Sequence, residues 1–455
     1  MGKIWPGRIR RGRIRRGQAL GALVASAALV VAGCGAGGRP AEGTSGSSGG
    51  GTTTGLTADT VKVGAHFPLT GVAAPGYSEI PTGTKAYFDW VNAKGGVNGR
   101  KIEYVVRDDA YNPTQTSQVV NQLVLQDQVF AVMGGLGTPT HSAVLDFLNG
   151  EGVPDLLVSS GSRLWDQPAK YPQTFGFQPD YEIEAKILAQ YVAQNFPQAK
   201  VGLFLQGDDV GVDAEAGARR YLEKQIVSVQ RYTPGNTDIA PQISALQAAG
   251  ADLVIGFNVP SYTALSQLQG LRLNYKPQWV YSNIGSDANL VGSLLARFSQ
   301  GSVTDAGLLD GAITDSYFAT VDTPDNPWTK QFDAIWKANG TGGELTNYRI
   351  FGMTQAYTFV QALQAAGPNP TREGLVAAVE KTGTSLQGPW VAPYRFSADR
   401  HAGLSGVRVT KIVGTGQQPL TGVMVTDNGE VAVTPYTAPE AAPPADGIPQ
   451  QPAAG

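Results

Sequence analysis

Residues 101–135 read KIEYVVRDDAYNPTQTSQVVNQLVLQDQVFAVMGG, and this stretch indicates the fold class. It begins with a β-branched run at 101–109 and ends with a second apolar run at 129–135, both typical of strands. Between the two runs, apolar residues recur at the spacing of one helix face, at Val119, Val120, Leu123 and Val124. A strand, a helix and a strand of these lengths predict a parallel βαβ unit with a right-handed crossover.

The same alternation continues on both sides of this unit. Residues 61–68 predict a strand, and a helix is expected at 81–94. A further helix and strand follow to about residue 160, and the rhythm restarts at residue 200 with KVGLFLQGDD. Two such sets predict an α/β protein with parallel sheets. Near the end of the chain, Asn428-Gly429 lies between alternating apolar residues and predicts a hairpin turn.

Length and composition limit the class of protein. A chain of 455 residues usually holds two or more domains, and 42% apolar with 16% charged side chains suits a soluble globular protein. Seven of the 34 basic side chains lie in the first 33 residues, which carry no acid, so the rest of the chain is acidic overall. An acidic body is a poor electrostatic partner for nucleic acid, so we expect no nucleic-acid function.

The start of the chain has the three parts of an export signal: an arginine-rich segment, an apolar run of roughly 15 residues and a small-residue approach to Cys34. The apolar run is short for a membrane-spanning helix. The ending VVAGC resembles the lipobox of bacterial lipoproteins, although Val31 stands where leucine is commoner. The resemblance implies that residues 1–33 are a signal peptide and that Cys34, the only cysteine, is lipidated. The alternatives are a buried anchor helix with an incidental cysteine and, more weakly, a twin-arginine signal at Arg15-Arg16.

Segments of low complexity flank the expected folded body. Residues 34–55 are rich in Gly, Ser and Thr and predict a flexible tether. Residues 437–455 are rich in Pro and Ala and predict a disordered tail. Between them no segment is apolar for 18 residues or more, so the sequence predicts no later membrane span.

The body lacks the motifs of common enzymes. It contains neither a G-x-x-x-x-G-K-S/T nucleotide loop nor a G-x-S-x-G nucleophile elbow. Its histidines, His66, His141 and His401, are not spaced as a metal-binding pair. Asp108-Asp109 could suggest acid–base chemistry, but neighbours at a strand end point to opposite sides, which favours a capping or hinge role. We therefore expect no enzyme activity, no metal and no cofactor.

Small polar residues stand where strands end and helices begin. In GGLGTPTH (134–141), Thr138 suits the N-cap, and the proline after it suits the first helical position. The free amides of such a helix start favour a carboxylate or another anion, although Thr138 could merely cap its own helix. The next strand ends in VSSGS and places Ser159 and Ser160 beside this position, at the crevice where open parallel sheets bind ligands.

Two stretches, HFPLTGVAAPGY at 66–77 and FDWVNAKGGVNGRKIEYVVRDDAYNP at 88–113, carry a family pattern. Their LTG, NAKGGVNG and DDAxxP segments resemble, in order and spacing, the leucine/isoleucine/valine-binding proteins and their relatives, the substrate-binding proteins of ABC importers. The likeness covers about residues 60–410. It implies an α/β fold of the type I periplasmic-binding-protein kind, in which two Rossmann-like lobes with parallel sheets are joined by a hinge of three crossing segments. The first lobe would hold 56–180 and 311–405, and the second 181–310 and 406–436.

The resemblance also implies which residues contact a ligand between the lobes. They are Thr138 after the G-x-L segment that ends at Leu136, the strand end Ser159, Ser160 and Gly161, and Tyr77 in a covering loop. The match fails in the second lobe, where Val210 and Val259 occupy the positions of two tyrosines of the family. Asn283 replaces the acid that holds an amino acid's ammonium. The family's cysteine pair is also absent, with Tyr111 and Gly137 in its place.

The function implied is that of an extracytoplasmic solute-binding lipoprotein, anchored to the bacterial cell membrane by lipid on Cys34. It would capture a small polar ligand (an amino acid, amide or organic acid) and deliver it to the permease of an ABC importer. A ligand-sensing domain that signals to a membrane receptor is the main alternative, and an enzyme on the same frame is a lesser one. Because Asn283 is uncharged, we do not expect a simple branched-chain amino acid as ligand, unless Asp209 or Asp287 binds the ammonium.

Overall fold

The computed structural model describes residues 53–303, 306–438 and 441–450. The predicted signal peptide, the lipidation site Cys34 and most of the predicted tether lie outside these ranges. Within the described ranges, no helix combines the length and the apolar character needed to cross a bilayer.

The predicted βαβ unit at 101–135 is confirmed and belongs to a five-stranded parallel sheet. The strands are β1 (Thr60–Phe67), β2 (Lys101–Asp108), β3 (Ala131–Met133), β4 (Asp155–Val158) and β5 (Thr174–Gly176). Their order across the sheet is β2-β1-β3-β4-β5. The intervening helices are α1 (Ala74–Tyr77), α2 (Ile80–Ala93), α3 (Pro113–Asn121, continued by a π-turn over Gln122–Gln126), α4 (Thr138–Ser142) and α5 (Leu145–Gly150).

A second sheet of eight strands follows. Its strands are β6 (Val201–Gln206), β7 (Ile226–Tyr232), β8 (Leu253–Phe257), β9 (Gln278–Tyr281), β10 (Ile313–Ser316), β11 (Gly406–Val413), β12 (Gly416–Val425) and β13 (Thr434–Tyr436). The order is β13-β12-β11-β10-β9-β8-β6-β7, parallel from β7 to β10 and antiparallel from β10 to β13. Its helices are α6 (Tyr181–Asn195), α7 (Asp209–Leu222), α8 (Ala240–Ala248), α9 (Pro260–Arg272) and α10 (Ala288–Phe298). An antiparallel edge therefore extends the parallel sheet that the sequence predicts.

The chain passes between the two sheets three times. It leaves the first sheet between β5 and α6, returns after β10, and crosses again before β11. On its return it forms α11 (Pro327–Asn339), α12 (Asn347–Ala365) and α13 (Arg372–Thr382), of which α12 packs against α2 and β4 of the first lobe. The second crossing lies after Ser316 and not at residue 311, because Ile313 pairs with Val280 and with Lys411 inside the second sheet.

The segment around Asn428-Gly429 is a longer loop than the predicted hairpin turn. The strands that it joins pair Val425 with Thr434, so the connection spans several residues. The buried ammonium of Lys186, on α6, donates to the backbone oxygens of Asp427, Gly429 and Val431 at 2.6, 3.0 and 2.6 Å. Because these three carbonyl oxygens point at the ammonium of Lys186, they do not form hydrogen bonds between paired strands. The segment is therefore a loop and not the tight hairpin turn that the sequence predicts.

Helices α2 and α12 touch backbone to backbone through two glycines. A Cβ on Gly83 would lie 2.2 Å from the oxygen of Arg349, and one on Gly352 would lie 2.0 Å from the oxygen of Ile80. Any larger side chain at either position would force the helices apart. The close approach of the two helices places the first turn of α12 beside the loop after β1. The site described below lies at this position.

The end of the described chain packs on the first lobe, in contrast to the predicted disordered tail. Tyr87 and Trp90 of α2 donate hydrogen bonds to the oxygens of Gly447 and Asp446, at 2.7 and 2.9 Å. Ile448 packs against the core of the first lobe. The composition of residues 441–450 predicts no structure by itself, but aromatic donors on α2 and α11 bind its backbone carbonyls.

A buried chain of two histidines and two aspartates links the strands below the site. His66 at the end of β1 binds Asp109 through Nδ1 at 2.7 Å and His141 through Nε2 at 2.9 Å. His141 in turn binds Asp155 of β4 through Nε2 at 2.8 Å. All four side chains have no exposed surface. The sequence gives no spacing that would reveal this pair of histidines, because their contact is made only by the folded sheet.

The environment of His66 decides its protonation. Burial lowers the pKa of His66, and the hydrogen bond to Asp109 and the charge of Asp109 oppose this effect. His66 is therefore neutral in the folded protein at pH values where a free histidine would begin to bind a proton.

We predict that the burial of His66 lowers the free energy of unfolding as the pH falls below about 6.5. In that range the unfolded histidine binds a proton that the folded one, with its lowered pKa, does not bind. The slope of this contribution approaches about 1.4 kcal/mol per pH unit, and the contribution is constant at higher pH. The measurement is urea unfolding of wild type and His66→Asn from pH 5 to 8.

The quantity to compare is the difference between the two profiles, since other buried acids also titrate. Burial lowers the pKa of His401 as well, so His401→Asn should give a difference of the same sign in the acidic range. A wild-type minus His66→Asn difference that is flat across the range would show that folding does not lower the pKa of His66.

Candidate functional site

A cavity lies between the two lobes, where the carboxyl ends of both parallel sheets face each other, and it holds about 900 Å³ of empty space, part of it open to solvent. The first lobe lines it with Tyr77, Ile80, Tyr111, Leu136, Gly137, Ser159, Gln178, Asn347, Tyr348 and Phe351. The second lobe lines it with Tyr181, Val210, Val259, Asn283, Ile284, Ser286, Asp287 and Gln417, and the second crossing adds Tyr317, Phe318, Ala319 and Thr320. Because both lobes contribute, the cavity exists only while they are together.

Hydrogen bonds join the lobes around the rim of the cavity. The hydroxyl of Tyr77 donates to the oxygen of Ile284 at 3.1 Å. The hydroxyl of Ser261 on α9 donates to the oxygen of Val72 at 3.0 Å. Neither bond involves a charged group, and each contributes about 0.5–1.5 kcal/mol net. They close the cleft without locking it.

Two charged contacts add to this rim. The amide of Asn347 on α12 donates to Asp287 at 2.7 Å, and Asp287 also caps α10 by accepting from the amide of Leu290 at 2.8 Å. Arg163 of the first lobe donates to Asp213 of α7 at 2.8 Å and to Glu182 of α6 at 2.6 Å. The structure therefore shows a closed arrangement of the lobes.

The predicted anion site around Thr138 differs from expectation. Thr138 is the first residue of α4, and Gly137, with φ of 102°, takes the N-cap position in its place. The helix has only five residues, and the amide of His141 is bound by the oxygen of Gly137 at 3.0 Å. Thr138 itself is buried and does not line the cavity. A helix of little more than one turn, whose first residue does not line the cavity, offers little to a carboxylate there.

The hydroxyls expected to bind a carboxylate are already paired. Thr138 and Ser160 share a hydrogen bond of 2.6 Å. Burial raises the pKa of Tyr181 to about 12, against hydrogen bonds that its hydroxyl makes with the side chains of Ser160 and Thr138. Gly161 lies behind Tyr181, where an added Cβ would meet the ring at 2.9 Å. Tyr181, which the sequence analysis did not select, therefore stands between these hydroxyls and the cavity.

Ser159 and Leu136 do line the cavity, as predicted, but the Ser159 hydroxyl is occupied. It donates to the oxygen of Gly134 at 2.9 Å and accepts from the amide of Gln355 at 2.7 Å. Asp209, the first residue of α7, does not line the cavity. Of the eight residues predicted from the sequence, the structure places four on the cavity wall: Tyr77, Leu136, Ser159 and Asn283.

Asn283 covers a buried pair of acids. Its backbone amide donates to Glu184 of α6 at 2.8 Å, and its side-chain amide donates to the backbone oxygen of Asp315 at 2.7 Å. The carboxyls of Glu184 and Asp315 are both fully buried, and the negative charge of Glu184 opposes ionisation of Asp315. Burial raises the pKa of Glu184 to about 7 and the pKa of Asp315 well above its usual range. This pair was missed because the two residues come from distant elements.

The remaining wall is aromatic. Tyr348 and Phe351, on the first turns of α12, enter the cavity beside Tyr77 and Phe318. The rings of Tyr77 and Tyr348 lie 5.8 Å apart at 69°, and those of Phe318 and Phe351 lie 5.6 Å apart at 78°. These edge-to-face pairs form a rigid apolar surface. The sequence analysis found only Tyr77, because the other three come from the part of the chain that returns to the first lobe.

Comparisons with known proteins agree with this architecture. The sequence profile of the periplasmic binding protein family matches residues 60–417. "Leu/Ile/Val-binding protein homolog 2" of Brucella abortus (strain 2308) is 25% identical over 332 residues, which are 70% of this chain and 82% of that relative. The matched relatives are named as binding proteins and not as enzymes.

Solved structures share the fold. A fatty acid ABC transporter substrate-binding protein from Thermomonospora curvata superposes with a TM-score of 0.71 at 22% identity, covering 84% of this chain and 97% of that one. A branched-chain amino acid ABC transporter protein from Thermus thermophilus, with bound valine, gives a TM-score of 0.69 at 19% identity, covering 82% and 98%. With two α/β lobes, a cavity between them and a profile match over most of its length, this chain belongs to the periplasmic binding protein family.

Proposed function

We propose that this chain is an extracytoplasmic solute-binding lipoprotein, which captures a small molecule between its lobes and delivers it to an ABC importer. The observation that carries this proposal is the cavity, whose wall is formed by both lobes and by the second crossing segment. A ligand that touches both lobes stabilises only the closed state, so it shifts the population toward closure.

The names of related proteins support the proposal that the lobes close around a ligand as part of transport. The curated relatives are named as binding proteins for leucine, isoleucine and valine, and two superposed structures are titled as parts of ABC transporters. In a transport role the closed form is what the permease would recognise. Opening would have to break the uncharged bonds at Tyr77 and Ser261 and the charged contacts of Arg163 with Asp213 and Glu182.

We predict that Ser261→Ala shifts the ligand-free protein toward the open state. The change removes the hydrogen bond to Val72 without touching the cavity wall, and a net loss of about 0.5–1.5 kcal/mol lowers the closed-to-open ratio roughly 2- to 12-fold. The measurement is fluorescence energy transfer between dyes on Leu69→Cys and Val212→Cys, exposed positions on opposite lobes, in the chain from Gly51 onward.

Ser266→Ala is the matched control on the same helix. Its hydroxyl bonds Thr263 and Tyr281 within the second lobe, so its loss should lower stability and leave the distance distribution unchanged. Equal effects of the two substitutions, or none from Ser261→Ala, would contradict a closure held by bonds between the lobes.

Delivery to an importer is tested in cells. Once a ligand is identified, uptake of its labelled form should stop when the chain is deleted and return when it is restored. Unchanged uptake with a lost transcriptional response to the ligand would favour the sensing alternative.

The anchor proposal rests on the VVAGC ending at Cys34. We predict that Cys34→Ser yields a chain that carries no lipid and is found in the medium or as an uncleaved precursor. The reason is that no other residue offers a thiol for the lipid. Metabolic labelling with a clickable fatty acid, followed by fractionation, measures both effects. Labelling that persists in Cys34→Ser would show that the attachment lies elsewhere.

A further inference from the structure

The cavity wall holds far more aromatic surface than charge. Seven of its residues are aromatic, and they come from both lobes and from the second crossing: Tyr77, Tyr111, Tyr181, Tyr317, Phe318, Tyr348 and Phe351. Val210 and Val259 add aliphatic surface from the second lobe. Such a wall gives its largest interactions to a flat ring, which can meet the aromatic edges and faces on either side.

No cation among the described residues faces the cavity. Its lining contains no lysine, arginine or histidine, and the hydroxyls of Thr138, Ser160 and Ser159 are bound to protein partners. A carboxylate that entered would therefore be buried without a counter-charge, which is strongly unfavourable.

Among the described residues, the wall carries one acid. Asp287 accepts from the amides of Leu290 and Asn347, which are neutral and leave its negative charge in place. Glu184 and Asp315 lie behind Asn283. The described wall therefore offers a negative charge at one position and no positive charge to the carboxylate of a zwitterion.

The side-chain amide of Gln178 lies on the cavity wall. Nε2 of Gln178, whose side chain is 4% exposed, donates to no described residue. Tyr317, 2% exposed, lines the same wall. Buried donors without partners are rare, so the Gln178 amide points to an atom of a ligand that completes it. A carbonyl or hydroxyl oxygen would accept from it.

From these observations we infer that, if the chain captures a ligand as proposed above, this ligand carries an aromatic ring and a carbonyl or hydroxyl oxygen and has no carboxylate. The ring packs among the tyrosines and phenylalanines of the two lobes. The oxygen accepts from Gln178.

Matched probes test the charge and the ring separately. Calorimetry on the chain from Gly51 onward compares 2-naphthamide, benzamide and 4-hydroxyacetophenone with 2-naphthoate, benzoate, leucine and the non-aromatic cyclohexanecarboxamide. We expect a neutral aromatic probe to bind at least about tenfold more tightly than its carboxylate twin and than cyclohexanecarboxamide. Gln178→Met should weaken its binding about 3- to 10-fold, as for the loss of one hydrogen bond.

Gln242→Met, on α8 outside the cavity, is the control and should leave the affinity unchanged. Binding of leucine or a carboxylate as tightly as the neutral probes, or binding by none of the neutral aromatics, overturns the inferred ligand class. The proposed function survives that result if any bound molecule closes the lobes in the energy-transfer measurement. Tight binding of a neutral aromatic probe without closure would instead count against the proposed function and leave the ligand class standing.

Discussion

The geometry of the molecule depends on one constraint: the parallel strands of both sheets end at a common cleft. The residues that follow those ends, including Leu136, Ser159 and Asn283, are therefore brought together from distant parts of the chain. The second crossing passes through the same cleft and places Tyr317 and Phe318 in it. Because the wall belongs to both lobes, a ligand makes all of its contacts only when the hinge is closed. Its binding therefore stabilises the closed state.

The buried charges of this protein are arranged so that they support the cleft without facing it. The His66–His141 chain lies under the loop that carries Leu136, and the acid pair Glu184–Asp315 lies under Asn283. Both clusters lie behind residues that line the cavity, and neither cluster is part of its wall. Aromatic rings and neutral polar groups make up most of that wall, with Asp287 as the one acid among its described residues.

Much of the fold could be predicted from local pattern. The alternation of apolar runs and helical spacing at 101–135 and after residue 200 predicted the strands, the helices and the division into two α/β lobes, since these depend on neighbours along the chain. The site was predicted only in part. Tyr77 and Ser159 lie on the cavity wall, but Thr138 and Ser160 bind each other beneath Tyr181, whose ring comes from the other lobe.

The sequence by itself determined the order of strands and helices, the absence of familiar catalytic motifs and the resemblance to binding proteins, because each depends on residues close together in the chain. The tertiary structure alone decided which side chains meet. The contact of His66 with His141, the capture of three carbonyls by Lys186 and the packing of residues 441–450 on α2 join segments that lie far apart in sequence. The physical reason is that hydrogen bonds and desolvation act over a few ångströms, and folding alone sets those distances.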